Sequence, residues 1–118
     1  MKIHDKYVDM FTEAYLEAAF WTEEQEIGSE PTFFDIDPHA LTKVLKDCAD
    51  FQEQNAQLLE NLDDSQCGHD FLLTRNGHGV GFQDRGYPKV VANALSASCD
   101  TFGEVWVELG DDGKVYGF

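Results

Sequence analysis

Cys67, His69, Asp70, Thr74, Arg75 and His78 fall within a twelve-residue span, and together they carry a thiol, two imidazoles, a carboxylate, a hydroxyl and a guanidinium. A Cys/His/Asp set is the raw material of a zinc site or of acid/base chemistry. Arg75 and His78 together also suit an anion or an internal carboxylate. What these side chains can do depends on the element that carries them. Asn76-Gly77 stands between two β-type runs and suits a type I′ turn, whose central residues both need positive φ. The spacing therefore predicts a β-hairpin with strands near 69–75 and 78–83.

In that register Phe71 faces Phe82, Leu73 faces Val80 and Arg75 faces His78. Asp70, Leu72, Thr74, Gly79, Gly81 and Gln83 share the other face. His78 then sits at the turn and His69 at the far end, roughly 20 Å away at about 3.3 Å per residue, so no shared metal site is expected. Two glycines on one strand face point to a close approach there, by a helix of the same chain or by a partner. A small-ligand or enzyme site around Asp70, Thr74, Arg75 and His78 is the alternative functional reading. Gly77-x-Gly79-x-Gly81 inside a hairpin is the wrong context for a phosphate cradle. No nucleophile elbow, phosphate loop, dinucleotide fingerprint or Cys-x-x-Cys pair occurs. The expectation is a non-enzyme with no cofactor and no metal.

A second pattern involves charge. The 118 residues hold 23 Asp and Glu against 8 Lys and Arg, a formal net charge of −15. The excess lies in residues 1–66, with 16 acids and 4 bases, whereas residues 67–118 carry 7 and 4. Nucleic acid and anionic membranes would be repelled. Asp5, Asp9, Glu13 and Glu17 recur every four residues, a spacing at which like charges destabilise a helix by a few tenths of a kcal/mol per pair. Four helical residues rise about 6 Å, similar to the phosphate spacing of a nucleic-acid strand. Such a row, continued by Glu23, Glu24, Glu26 and Glu30, could meet a basic groove on a partner.

Apolar spacing sets the supporting elements. Tyr7, Met10, Phe11, Ala14, Ala18 and Trp21 predict a helix from about Asp5 to Thr22. Gly28-Ser29-Glu30-Pro31 breaks it, and Phe33, Phe34 and Ile36 in the following linker are expected under the core. Asp37-Pro38 supplies an N-cap and an N1 proline for a second helix running to about Asn61 on Leu41, Val44, Leu45, Cys48, Phe51, Leu58, Leu59 and Leu62. Asp63-Asp64-Ser65 is expected to end it. A third helix follows Tyr87-Pro88 on Val91, Leu95, Cys99 and Phe102, with Gly103 past its end. Val105, Val107 and Leu109 alternate with Glu104, Trp106 and Glu108 before Asp112-Gly113 turns the chain into 115–118, a second hairpin.

These elements predict one α+β domain, with an acidic helical half at 1–66 and a ββαββ half at 67–118. Two N-terminal helices are followed by hairpin, helix and hairpin, and a four-stranded antiparallel sheet packs against the helices. Cys48, Cys67 and Cys99 are odd in number and widely spaced, which fits reduced thiols rather than a disulfide framework. No apolar run reaches membrane-spanning length and no signal-peptide pattern opens the chain, so a soluble intracellular protein is expected.

Gly68-His69-Asp70-Phe71, Leu73-Thr74-Arg75-Asn76-Gly77-His78-Gly79, Gly81-Phe82-Gln83-Asp84-Arg85 and the closing Asp111-Asp112-Gly113-Lys114-Val115-Tyr116 resemble a family of small, functionally uncharacterised proteins encoded mainly by bacteriophages. The family more often has Trp where this chain has Leu72 and Gln83. The resemblance implies a phage or prophage origin, a host-directed accessory role and a place in the bacterial host cytoplasm. With the charge pattern, the reading is a host-protein or defence-protein binder, a DNA mimic acting as an inhibitor, with Asp5, Asp9, Glu13, Glu17, Glu23, Glu24 and Glu26 as partner-binding residues.

Overall fold

The first turn of regular structure falls before the first helix. In the computed structural model, which describes residues 1–78 and 81–118, Lys2–Ile3 (β1) and Lys6–Tyr7 (β2) pair antiparallel, Lys2 opposite Tyr7. His4 and Asp5 form the two-residue loop with positive φ at both positions, the geometry of a type I′ turn. The predicted helical start at Asp5 is thus corrected to Met10. Asp9 is the N-cap of α1 (Met10–Thr22) and its carboxylate accepts from the Thr12 amide at 2.9 Å.

Six α-helices dominate the described residues. After α1 come α2 (Glu24–Ile27), α3 (Pro38–Gln54), α4 (Ala56–Leu59), α5 (Asp64–Arg75) and α6 (Lys89–Asp100). The strands Glu108–Leu109 (β3) and Val115–Tyr116 (β4) close the chain in a second two-stranded sheet, separate from β1–β2. The expected four-stranded antiparallel sheet packed against helices is therefore not the fold. Nor is residues 67–118 a ββαββ unit, because the segment expected as its first hairpin is largely helix.

The chemistry of that correction lies at both ends of α5. Asp63, expected to end the preceding helix, caps this one by accepting from the Gln66 amide at 2.8 Å. At the other end the Gly77 amide donates to Thr74 O at 3.1 Å and the His78 amide to Leu73 O at 2.9 Å, with Gly77 at φ +70°. That is the Schellman arrangement, which uses the positive φ of glycine as readily as a hairpin turn does. Phe71, Leu73 and Arg75 all lie in this helix, and Phe71 and Arg75 do not pair with Phe82 and His78 across a turn. Val80 and Gly79 lie outside the described residues.

Helices α1 and α5 are the centre of the molecule and make its most extensive helix contact. Each is buried over most of its circumference: Phe11, Thr12, Ala14, Tyr15, Leu16, Ala18 and Ala19 on α1, and Cys67, Gly68, Asp70, Phe71, Leu72, Leu73 and Arg75 on α5. They approach so closely at Gly68 that a Cβ there would run into the Phe11 carbonyl. A Cβ at Gly81 would likewise run into the Thr74 side chain, so of the two glycines expected to meet a close approach, the described one meets its own chain.

Other expectations hold in position. Asp37 caps α3, accepting from His39 and Ala40 at 3.0 and 3.1 Å, with Pro38 at the first turn. The helix stops at Gln54 rather than running to Asn61, because buried Asn55 turns its amide onto Phe51 O and Ser98 Oγ. α6 buries Leu95 and Cys99, and Val105 and Val107 are buried between exposed neighbours before the closing hairpin. Phe51 stacks on Phe71 with ring centroids 4.2 Å apart, and Phe11, Tyr15, Phe82 and Phe102 surround the pair. That core draws on residues from Ile3 to Phe118, across both halves. No helix among the described residues is long and apolar enough to cross a membrane.

Candidate functional site

Trp21 occupies the last turn of α1, and its position follows from the burial of that helix. With the buried face of α1, from Phe11 to Ala19, packed against α5 and the core, Trp21 emerges at the end of the contact with 63% of its surface accessible. Across the groove His69 of α5 stacks on it, ring centroids 6.2 Å apart and planes at 30°. The His69 Nδ1 is buried with no hydrogen-bond partner among the described residues, and the ring packs against the indole. A shallow cleft of about 290 Å³ lies on the His69 side, and two more of about 260 and 430 Å³ border Trp21. Glu17, Asp63, Ser65, His69 and Arg85 border the first, while Trp21 and Glu24 border both of the others.

The residues of the acidic row divide among different tasks. Asp5 lies in the β1–β2 loop, off the helix. Asp9 is occupied as a cap, and its second oxygen accepts from Gln52 Nε2 of α3 at 3.3 Å. Glu13 and Glu17 stand on α1, half-buried and exposed. Glu23 joins α1 to α2, where Glu24 and Glu26 occupy the first turn and are exposed. The structure thus groups Glu17 and Glu24 around Trp21 and separates Asp5 and Asp9 from them. Residues 7–42 contain nine Asp and Glu and no Lys or Arg.

The alternative set does not converge. Arg75 leaves α5 towards the core, its side chain 1% exposed. Its Nη1 donates to Asp47 Oδ2 of α3 at 2.9 Å and to the Tyr15 hydroxyl at 3.0 Å, its Nε to Gly103 O at 2.7 Å and its Nη2 to Phe102 O at 2.8 Å. The guanidinium also lies 5.3 and 5.7 Å from the Phe71 and Phe102 ring centres, within cation–π range. Asp70, five residues earlier, is fully buried on another side of the helix. It accepts from Arg85 Nε at 2.9 Å, Gln66 Nε2 at 3.1 Å and the Tyr87 hydroxyl at 3.4 Å. Burial pushes the Asp70 carboxyl above the usual carboxylate range, and the Arg85 hydrogen bond and charge only partly oppose this. The Thr74 hydroxyl accepts from the Phe82 amide at 3.1 Å, and His78 is exposed at the edge of the cleft shared with Trp21. Arg75 has the partner the sequence suggested for it, a carboxylate of the acidic half.

Cys48, Cys67 and Cys99 are free and buried. Burial raises all three thiols, Cys67 to about 11 and Cys99 to about 12, which keeps them protonated near neutral pH. No group of three or more His, Cys, Asp or Glu among the described residues is placed to hold a metal ion. Trp21 is the functional candidate that the sequence pattern concealed, because its spacing from Ala14 and Ala18 reads as a core stripe. Comparison with protein-family models, curated proteins and solved structures gave no match.

Proposed function

We propose that this chain is a non-enzymatic accessory protein of phage or prophage origin that binds a host or defence protein through its acidic α1–α2 surface, competing there with nucleic acid. One observation carries the reading: both arginines, Arg75 and Arg85, turn onto internal carboxylates. Setting those two pairs aside removes two acids and two bases and leaves the net charge at −15. The outer surface keeps six lysines as its basic side chains, none of them between residues 7 and 42. A surface so biased steers basic partners and needs no catalytic group.

The test is capture of host proteins on the purified chain at about 0.05 M and about 0.5 M salt, beside a variant with Glu17, Glu24 and Glu26 changed to Lys. Proteins retained at low salt should be lost at high salt, displaced by duplex DNA and absent from the reversed variant. Equal retention by the reversed variant would overturn the proposal.

A further inference from the structure

We infer that Trp21 is the receptor for an arginine side chain of the basic partner, an assignment that rests on the reading above and names its anchoring contact. Three independent features converge at this residue. The indole is more exposed than any core function would require, yet it is steadied on one side by His69. Glu17 lies one helical turn before it, so both project from one side of α1, and Glu24 shares two clefts with it. The basic group bordering the neighbouring cleft, Arg85, is committed to buried Asp70 at 2.9 Å.

An open indole face with carboxylates around it is a cation receptor. A cation placed over tryptophan gains from the ring quadrupole, more so for tryptophan than for other aromatics. The guanidinium adds what an ammonium does not: a flat surface that stacks while its edge donates to carboxylates in the same plane. Glu17 and Glu24 are acceptors of that kind. Tryptophan and arginine are also the residues that carry most binding energy when they meet at the centre of an interface, and the clefts around Trp21 provide concavity for the rest of a peptide segment.

The experiment uses Trp21 fluorescence in a Trp106→Phe background, so that one indole reports. Arginine-rich and lysine-rich peptides of equal length and charge are titrated at one ionic strength. The arginine peptide should change the emission saturably and bind at least about twofold more tightly than the lysine peptide, because the guanidinium alone both stacks on the ring and donates from its edge. In Trp21→Leu the preference should vanish while residual, salt-sensitive binding stays, followed by calorimetry. Glu17→Gln with Glu24→Gln should weaken both peptides. Circular dichroism checks that each variant is folded, which an exposed position favours. Equal affinity for the two peptides, or a preference that survives in Trp21→Leu, would overturn the assignment. If Trp21→Leu captures host proteins undiminished while the lysine reversal does not, this inference alone fails; if the reversal captures normally, the broader reading fails whatever the peptides do.

Discussion

Replacing Arg75 by Ala should be among the most damaging single changes in this chain. The side chain makes four hydrogen bonds, one of them to a carboxylate, and links α5 to α1, α3 and the end of α6. Hydrogen bonds involving a charged group contribute about 1.5–3 kcal/mol each, but they share one guanidinium and offset its desolvation, so they do not add. Breaking a buried pair by removing one partner costs about 3–5 kcal/mol. That is the expected loss here, although Asp47 keeps Lys43 at 3.0 Å and remains 17% exposed, which favours the lower half of the range. For a domain whose whole stability is about 5–15 kcal/mol, such a loss is large. Arg75→Lys should lose roughly half as much, since an ammonium retains the charge but cannot span Asp47 and two carbonyls in one plane. Urea unfolding followed by far-UV circular dichroism measures both, and a cycle with Asp47→Asn should give a coupling of about 1–3 kcal/mol. A loss below about 1 kcal/mol for Arg75→Ala would refute the view of this residue as the internal clamp, and would return it to candidacy as a ligand group.

Gly68→Ala tests the closeness of the central helix pair. In an open helix this change would stabilise by about 1 kcal/mol, whereas the Phe11 carbonyl in the way should reverse the sign and cost about 1–3 kcal/mol, read as a lower urea midpoint. Asp70 makes a pH prediction. Its folded-state value lies above its ordinary 3.8, so the folded chain holds this proton more tightly, and the group's contribution to stability falls as pH rises from near 3.8 through the folded-state value. Asp70→Asn removes that dependence. The stability difference, wild type minus variant, should therefore fall as pH rises from about 4, and a difference that rises or stays level from there to neutral pH would contradict the assignment.

The legible parts of the sequence were those where one local signal admits one structure. Asp37-Pro38 can cap and open a helix and does so, and alternation about Val105 and Val107 led into a real hairpin. Asn76-Gly77 was ambiguous in a physical sense. A type I′ turn and a Schellman cap both need a residue at positive φ, and the apolar triplet Phe71-Leu72-Leu73 is too short to separate a strand from a helix buried all round. Asp63 was the signal that resolves it, as the N-cap of a helix whose end Gly77 then marks. At the amino terminus, positive φ falls on His4 and Asp5 with no glycine to mark the turn, and the four-residue spacing of Asp5, Asp9, Glu13 and Glu17 imitated a helix face that begins only after Asp9. The candidate site was hidden for a related reason. A tryptophan at core spacing is indistinguishable from a core tryptophan until the helix around it is known to be nearly surrounded.

Cohesion and surface charge are separated in this molecule by the choice of cation. Arginine serves inside, where its planar donors can satisfy a carboxylate and backbone carbonyls together; lysine serves outside, at Lys43 and Lys46, in i,i+4 pairs with Asp47 and Asp50 that solvent screens. Asp47 belongs to both systems, taking Lys43 from solvent and Arg75 from the core. Because the internal pairs are neutral as units, the fold gains its clamps without lowering the outward field. Had the same two arginines been placed on α1 or α2, they would have eased the repulsion among Glu13, Glu17, Glu23, Glu24 and Glu26 and cancelled part of the potential around Trp21. Their location leaves that surface anionic and the exposed indole of Trp21 available to a cation from elsewhere.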